Sequence, residues 1–134
     1  MSGIIALESL IKEMSPCLHK EEYVYTSMNK GYDEIAKYHP LAVIHEDEGM
    51  TIVIERTSAD MHQVKYNGVF RCITLNVFSS LSAIGFTAMI SKELAKNQIS
   101  ANVLAGYYHD HLLINEDRAD DAIKILLALQ ESSV

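Results

Sequence analysis

The sequence has few cysteines and no excess of basic residues. Its 134 residues include two cysteines, and 11 lysines and arginines stand against 18 acidic residues, which gives a formal net charge of −7. Two cysteines are too few for a disulfide framework. A surface of this charge is repelled by nucleic-acid backbones and by anionic membranes. We therefore expect no nucleic acid and no membrane among the partners of this protein.

Long apolar runs and targeting signals are also missing. No stretch of the sequence stays apolar over the length that spans a bilayer. The amino-terminal segment has no basic leader and no small-residue cleavage site, so it does not resemble a signal peptide. These features predict a cytoplasmic protein whose thiols are reduced.

Sequence signatures of catalysis and of nucleotide binding are absent as well. The chain contains no Gly-x-Ser-x-Gly, no GxGxxG and no GxxxxGK motif. His19, His39, His45 and His62 are isolated from other potential catalytic groups in the sequence. We predict no enzyme activity, no catalytic residue and no cofactor.

The segment His109-Asp110-His111 is the most tempting set of potential metal ligands. On an extended strand the two imidazoles lie on the same side and can hold one transition metal. The segment falls where a hairpin turn is predicted, however, and polar residues in turns commonly bond to their own backbone. No group nearby in the sequence completes a coordination sphere. We therefore predict no metal site and keep a metal-dependent enzyme as the weaker alternative.

The chain has enough apolar residues, 49% of the total, for one compact domain or two very small ones. Apolar residues at helical spacing predict a leading helix at 4–14, which Ser15-Pro16 ends. The rest of the chain repeats the order strand, helix, strand, strand, helix, over about residues 22–65 and again over about residues 70–131. The predicted elements are a strand at 23–26, a helix at 33–38, a hairpin at 41–55 and a helix capped by Ser58 that runs to about Val64, then a strand at 70–77, a helix with its apolar stripe at 83–94, a hairpin at 101–114 and a helix that begins at Asn115 or Asp117.

Two copies of a βαββα order predict an α+β fold. Parallel strands joined through a helix take a right-handed crossover, and hairpins pair neighbouring strands. Each copy then forms a split βαβ, ferredoxin-like unit with an antiparallel sheet and helices on one face. We place the units at residues 1–66, which include the leading helix, and at residues 67–134. Their open sheet edges and faces predict a homo-oligomer.

The second copy also carries a family resemblance. The sequence of residues 70–88 resembles the opening strand, loop and helix of ACT domains. Four further segments are similar to a group of small stand-alone bacterial proteins with two tandem ACT-like units. These segments are Met14-Ser15-Pro16 with Glu22-Tyr23-Val24, Glu48-Gly49-Met50-Thr51, Gly68-Val69-Phe70-Arg71, and Ala105-Gly106-Tyr107-Tyr108-His109-Asp110-His111.

The resemblance implies a regulatory module that binds an amino acid or a related metabolite at an interface between units or subunits. In this family the ligand commonly sits beside the loop after the first strand, which is here the loop at 77–85. A helix start offers unpaired amide hydrogens that suit a carboxylate. The predicted ligand-binding residues are Asn76, Phe78, Ser79, Ser80, Leu81, Ser82, Gly85 and Asn102.

A structural interpretation of the same loop stays open. Ser80 or Ser82 can be an ordinary helix cap, and Gly85 can mark a close contact between helix and sheet. The Asp-x-Pro-Gly sequence that many family members carry in this loop is replaced here by the segment Phe78-Ser79-Ser80-Leu81-Ser82. A loop filled by its own Phe78 and Leu81 side chains leaves no room for a ligand, and the protein is then an interaction module that only oligomerises.

The cysteines and two tyrosines carry weaker predictions. Cys72 lies in a predicted strand and is expected in the core, whereas Cys17 follows the helix break and is expected to be exposed. Tyr107 and Tyr108 are consecutive in the predicted hairpin, so one ring is expected on each face of the sheet. Such a ring suits either an interface or the wall of a ligand site.

Overall fold

A computed structural model describes residue 3 and residues 6–132 of the chain. Within this part the chain forms six strands and five α-helices. In chain order they are α1 (Leu7–Glu13), β1 (Pro16–Met28), α2 (Tyr32–Ile35), β2 (Ala42–Glu46), β3 (Gly49–Glu55), α3 (Arg56–Met61), β4 (Phe70–Leu75), α4 (Phe86–Ala95), β5 (Asn102–Ala105), β6 (Asp110–Asn115) and α5 (Ala119–Ser132). Short 3₁₀ helices at Ala36–Tyr38 and Glu116–Arg118 follow α2 and precede α5.

The elements form two compact units. The smaller unit is residues 21–70, and the larger unit joins the described residues up to Lys20 with those from Arg71 onward. Strand β1 therefore contributes its first residues to the larger unit and its remaining residues to the smaller one. The leading helix α1 packs with α4 and α5 of the larger unit, although the sequence suggests that it accompanies the first copy. The division at residues 66 and 67 stays a prediction.

The smaller unit contains an antiparallel sheet in the order β2-β3-β1. Successive residues of a strand point to opposite faces, and in this sheet alternate residues of β3 fill one core. Val24 of β1 and Ile52 of β3 are fully buried there. The core consists of Val24, Ile35, Tyr38, Met50, Ile52, Ile54 and Ala59.

The larger unit contains strands in the order β1-β4-β6-β5. Its core collects Ile73 and Leu75 of β4, Phe86 of α4 and Leu126 of α5, so the helices lie on one face of the strands. The intervening residue Thr74 points to the opposite face, where it bonds to polar side chains described below. The predicted α+β architecture, with two tandem βαββα units and helices on one face, is thus confirmed.

Several predicted boundaries are wrong. Strand β1 begins at Pro16 rather than at residue 23, because the polar segment before Tyr23 is held by neighbouring strands. Helix α3 begins at Arg56 after Glu55, so Ser58 lies inside the helix and is not its cap. Strand β4 ends at Leu75. Ile4 and Ile5 of the predicted leading helix lie outside the described residues.

Candidate functional site

The connection at 76–85 joins β4 to α4, as the sequence predicts for the loop before the second crossover helix. Helix α4 begins after Gly85, which is its N-cap residue, has a φ of 90° and has no side chain to cap the helix. This positive φ is one that glycine adopts with little strain. Neither Ser80 nor Ser82 is the N-cap, so that prediction is wrong. The Ser80 hydroxyl instead accepts a hydrogen bond from the backbone N–H of Ser82 at 3.1 Å.

One hydrogen bond ties this loop to the hairpin formed by β5 and β6. The Ser79 hydroxyl donates to Oδ2 of Asp110 at 3.1 Å, and both side chains are buried. Asp110 is the first residue of β6 rather than part of the turn that the sequence predicts. A buried carboxylate needs such a donor, because an unpaired charge in the interior is costly. The Ser79 hydroxyl is therefore already engaged within the protein.

Aromatic side chains fill the space beside the loop. The Phe78 ring lies 6.3 Å from the Tyr107 ring and 5.2 Å from the Tyr108 ring, and the two tyrosine rings are 5.0 Å apart. We call these three residues the aromatic cluster. The expectation that the two tyrosines lie on opposite faces of a sheet is wrong, because both precede β6 in the turn and contact the same phenylalanine. Both tyrosines remain more than half exposed.

The chain before α1 contacts the same loop. A Cβ atom built on Gly3 would lie 2.6 Å from the carbonyl oxygen of Phe78 and 2.8 Å from the backbone nitrogen of Ser80. Atoms this close cannot be accommodated without movement, so only glycine fits against the loop at this position. Gly3 thus lies against the backbone that was predicted to receive a ligand carboxylate.

The remaining predicted ligand residues are spread over the larger unit. Asn76 donates to the carbonyl oxygen of Ser15, whereas Asn102 donates to that of Leu113. These two asparagines are not on neighbouring strands, because β6 lies between β4 and β5. Asn102 pairs with Leu113 of β6. Leu113 lies three residues, or about 10 Å, along this strand from Asp110, the residue that contacts the loop. Leu81 and Ser82 are exposed near the start of α4.

The equivalent connection in the smaller unit is much shorter and leaves a cavity. Residues 29–31 join β1 to α2, and opposite them lies the turn between β2 and β3. A cavity of about 380 Å³ opens between the connection and this turn. Its lining residues are Met28, Asn29, Lys30, Gly31, Tyr32, His45, Glu46, Asp47, Gly49 and Met50.

The cavity has opposite charges at its edge. Lys30 and Asp47 both line it, and neither has an ion-pair or hydrogen-bond partner for its side chain among the described residues. The carboxylate of Glu46 accepts a hydrogen bond from the Thr51 hydroxyl. The sequence does not reveal this site, because its lining residues come from two separate segments of the chain, 28–32 and 45–50. The signal in the sequence that could have indicated this site is the pair Lys30-Gly31, which follows the first strand of a βαββα unit.

A polar cluster joins three strands of the larger unit. The Thr74 hydroxyl on β4 lies 2.7 Å from Nε2 of His19 on β1 and 2.9 Å from Nδ1 of His111 on β6. The hydroxyl can donate to one imidazole and accept from the other. Burial lowers the pKa of His111, and the nearby His109 and His19 lower it further, while Asp110 opposes the shift. Across residues 3 and 6–132, no three histidine, cysteine, aspartate or glutamate side chains are arranged to hold a metal ion.

We expect His111 to make the protein less stable in mild acid. The pKa of its imidazole is lower in the folded chain than the ordinary value of about 6.5. The unfolded chain therefore takes up the proton first, and the stability present above about pH 6.5 is lost as the pH falls towards the folded pKa. Urea unfolding at pH 7.5 and pH 5.5 measures this loss, and His111→Gln should reduce it.

The matched control for this experiment is His45→Gln, because His45 is exposed on β2. This variant should lose as much stability between the two pH values as the unchanged protein does. An equal loss in the His111→Gln variant would contradict the assignment of the acid sensitivity to His111.

The two cysteines occupy the predicted environments. Cys72 is buried and Cys17 is exposed, and both are free thiols. Burial raises the pKa of the Cys72 thiol, and a hydrogen bond with the Thr74 side chain offsets this rise only in part. A thiol that stays protonated is a poor nucleophile and a poor metal ligand. Cys72 thus belongs to the packing of the larger unit.

Comparisons with known proteins give the family of two successive segments of the chain. Residues 2–71 and residues 69–128 each match a family model described as ACT domain. No curated protein is significantly similar to the chain. None of the helices in the described part of the chain has the length and apolar character needed to cross a membrane.

Solved structures extend this comparison. A protein of unknown function from Vibrio cholerae, described as a possible transport protein, is 38% identical, with 96% of this chain and 99% of that chain covered and a TM-score of 0.85. The regulatory subunit of aspartate kinase from Thermus thermophilus is 8% identical, with coverages of 88% and 98% and a TM-score of 0.62. Aspartate kinase from Clostridium acetobutylicum is 10% identical, with coverages of 87% and 34% and a TM-score of 0.65. The two kinase structures share the fold with this chain.

Proposed function

The chain belongs to the ACT domain family, and from this premise we propose that it is a non-enzymatic, cytoplasmic regulatory protein that binds an amino acid. The observation that carries this proposal is the cavity of the smaller unit, where the Lys30 ammonium and the Asp47 carboxylate have no partner within residues 3 and 6–132. An α-amino acid carries the complementary pair of charges. Charge-assisted hydrogen bonds to such groups are among the stronger polar contacts in proteins.

The fold of the neighbours supports the same role. Two structural neighbours are an aspartate kinase and the regulatory subunit of such an enzyme. A regulatory module attached to or associated with an amino-acid biosynthetic kinase is the kind of protein whose ligand is an amino acid. We extend that role to this chain as a proposal.

A thermal-unfolding screen of the protein amino acids at millimolar concentration tests the proposal. A ligand at a hundredfold excess over its Kd should stabilise the folded chain by about 2.7 kcal/mol, which raises the Tm measurably. Lys30→Met should weaken binding of the active compound at least about tenfold, because it removes one charged partner. Lys65→Met is the matched control, since Lys65 is an exposed lysine of the same unit that does not line the cavity.

The predicted site at 76–85 remains a second proposed location, and one variant separates the two. Ser82 is exposed, and a carboxylate introduced by Ser82→Asp would repel an anionic group near this loop without being buried. Binding that is lost in Ser82→Asp but kept in Lys30→Met would assign the ligand to the loop. No increase in Tm with any amino acid would contradict the sensor function itself.

The alternative function is an interaction module that has lost its ligand and only oligomerises. The aromatic cluster and Gly3 support this alternative for the larger unit, because they occupy the space beside the loop. We also propose that the chain forms a homo-oligomer. The exposed apolar side chains of Leu81 and Ile84, with 68% and 86% of their areas accessible, are suited to such a contact. Light scattering in the presence and absence of amino acids separates assembly from sensing.

A further inference from the structure

The inner wall of the cavity is apolar and adaptable. Met28 on β1 lies directly opposite Met50 on β3 in the antiparallel register, and both side chains line the cavity. Met50 is buried in the core of the smaller unit, whereas Met28 packs against that core from its edge. Tyr32 adds a ring that is 63% exposed. Thioether side chains are flexible and adjust to the shape of what they contact.

The charges of the cavity do not provide a partner for a second carboxylate on a ligand. In the proposed function, Lys30 and Asp47 bind the carboxylate and the ammonium of the amino acid. The remaining carboxylate, on Glu46, already accepts a hydrogen bond from Thr51. An acidic ligand side chain would face Asp47 and Glu46 without a second lysine or arginine among the lining residues. Acidic amino acids are therefore disfavoured in this cavity.

The size of the cavity leaves room for a side chain beyond the charged groups. A volume of about 380 Å³ corresponds to roughly a dozen water molecules at about 30 Å³ each. A ligand that contacts only Lys30 and Asp47 would leave the methionine wall in contact with water. A ligand with an extended apolar side chain covers that wall, and this burial of apolar area is favourable.

We propose that the cavity between residues 28–32 and 45–50 selects an α-amino acid with a neutral, extended apolar side chain. This inference rests on the proposed function and adds the ligand class. The charged pair orients the α-carboxylate and α-ammonium at the edge. The side chain lies against Met28, Met50 and Tyr32.

A homologous ligand series measures the apolar contact directly. Calorimetric titration with alanine, 2-aminobutyrate, norvaline and norleucine adds one methylene at each step. Each buried methylene should tighten binding about fourfold. Norleucine and methionine should also bind more tightly than glutamate and lysine. A series whose affinities do not rise with length, or a preference for glutamate or lysine, would overturn the proposed ligand class while the sensor function survives.

Three variants locate the effect. Met28→Gln should flatten the rise in affinity along the series, and Met61→Gln, a change at an exposed methionine of the same unit, should not. Gly31 lines the cavity, has a φ of −78°, and an added Cβ meets no atom within 4 Å. Gly31→Leu should therefore abolish binding of the whole series with little change in Tm. Undiminished binding in this variant would place the ligand elsewhere and overturn the proposal, and no binding by the unchanged protein would reject the sensor function as well.

Discussion

Replacing Leu126 by alanine is expected to lower the free energy of unfolding by about 2–5 kcal/mol. Leu126 is completely buried on α5 and belongs to the core of the larger unit. The substitution removes apolar contacts with the strands and leaves a cavity, because a close-packed interior collapses only in part around a smaller side chain. Equilibrium unfolding in urea, followed by far-UV circular dichroism, measures the change.

The adjacent residue provides the matched control for this prediction. Leu127 follows in the same helix, and 45% of its area is exposed. Leu127→Ala makes the same chemical change and favours the helix slightly through the higher helix propensity of alanine. Its effect on the free energy of unfolding should stay below about 1 kcal/mol. Similar losses in the two variants would contradict the assignment of Leu126, and not Leu127, to the buried face of α5.

The architecture could be predicted because amphipathic patterns survive in single elements. The stripe Phe86, Ile90 and Leu94 on α4 follows helical spacing, and all three residues are buried in the core of the larger unit. The hairpins are equally visible, since apolar strands flank the acidic turn at 46–48 and the turn at 106–109. Periodicity identifies which face is buried whenever one side of the element meets the core and the other meets water.

Strand β1 shows where the pattern fails. Its first residues include Lys20 and Glu21, and they do not form an apolar run. They are held in the strand by neighbours distant in the sequence, as the contact between His19 and Thr74 illustrates. The preference of a segment for strand depends on its cross-strand partners as much as on its own residues. A single sequence does not reveal such partners.

The sequence does not show which of the two strand-to-helix connections, 29–31 or 76–85, is the better candidate for a ligand site. The ten-residue connection at 76–85 has the features that a ligand site needs, namely hydroxyls and a glycine before a helix. Its folding against the hairpin turn depends on the Ser79 to Asp110 bond and the aromatic cluster, which link residues about thirty positions apart. The connection at 29–31 is too short to fill the equivalent space. Lys30 and Asp47 are separated in the sequence, so the sequence likewise does not show that both line one cavity.

Replacing Asp110 by alanine is the second change with a large expected effect. The carboxylate of Asp110 accepts a hydrogen bond from the buried Ser79 hydroxyl, and both residues are only 7% exposed. A hydrogen bond that involves a charged group contributes about 1.5–3 kcal/mol, and its loss leaves a buried hydroxyl without this acceptor. We expect Asp110→Ala to lower the free energy of unfolding by about that amount, as urea unfolding would measure.

A double-mutant cycle with Ser79→Ala separates this bond from the other contacts of Asp110. If the bond holds the loop against the hairpin, the two single changes are not additive, and their coupling should reach about 1 kcal/mol or more. Hydrogen exchange of the amides at 78–85 should then accelerate in each single variant, while the amides of β3 in the smaller unit remain protected. Additive losses with unchanged exchange in the loop would contradict a closed loop. In that case the loop at 76–85 could open towards a ligand, because the bond between Ser79 and Asp110 would not hold it closed.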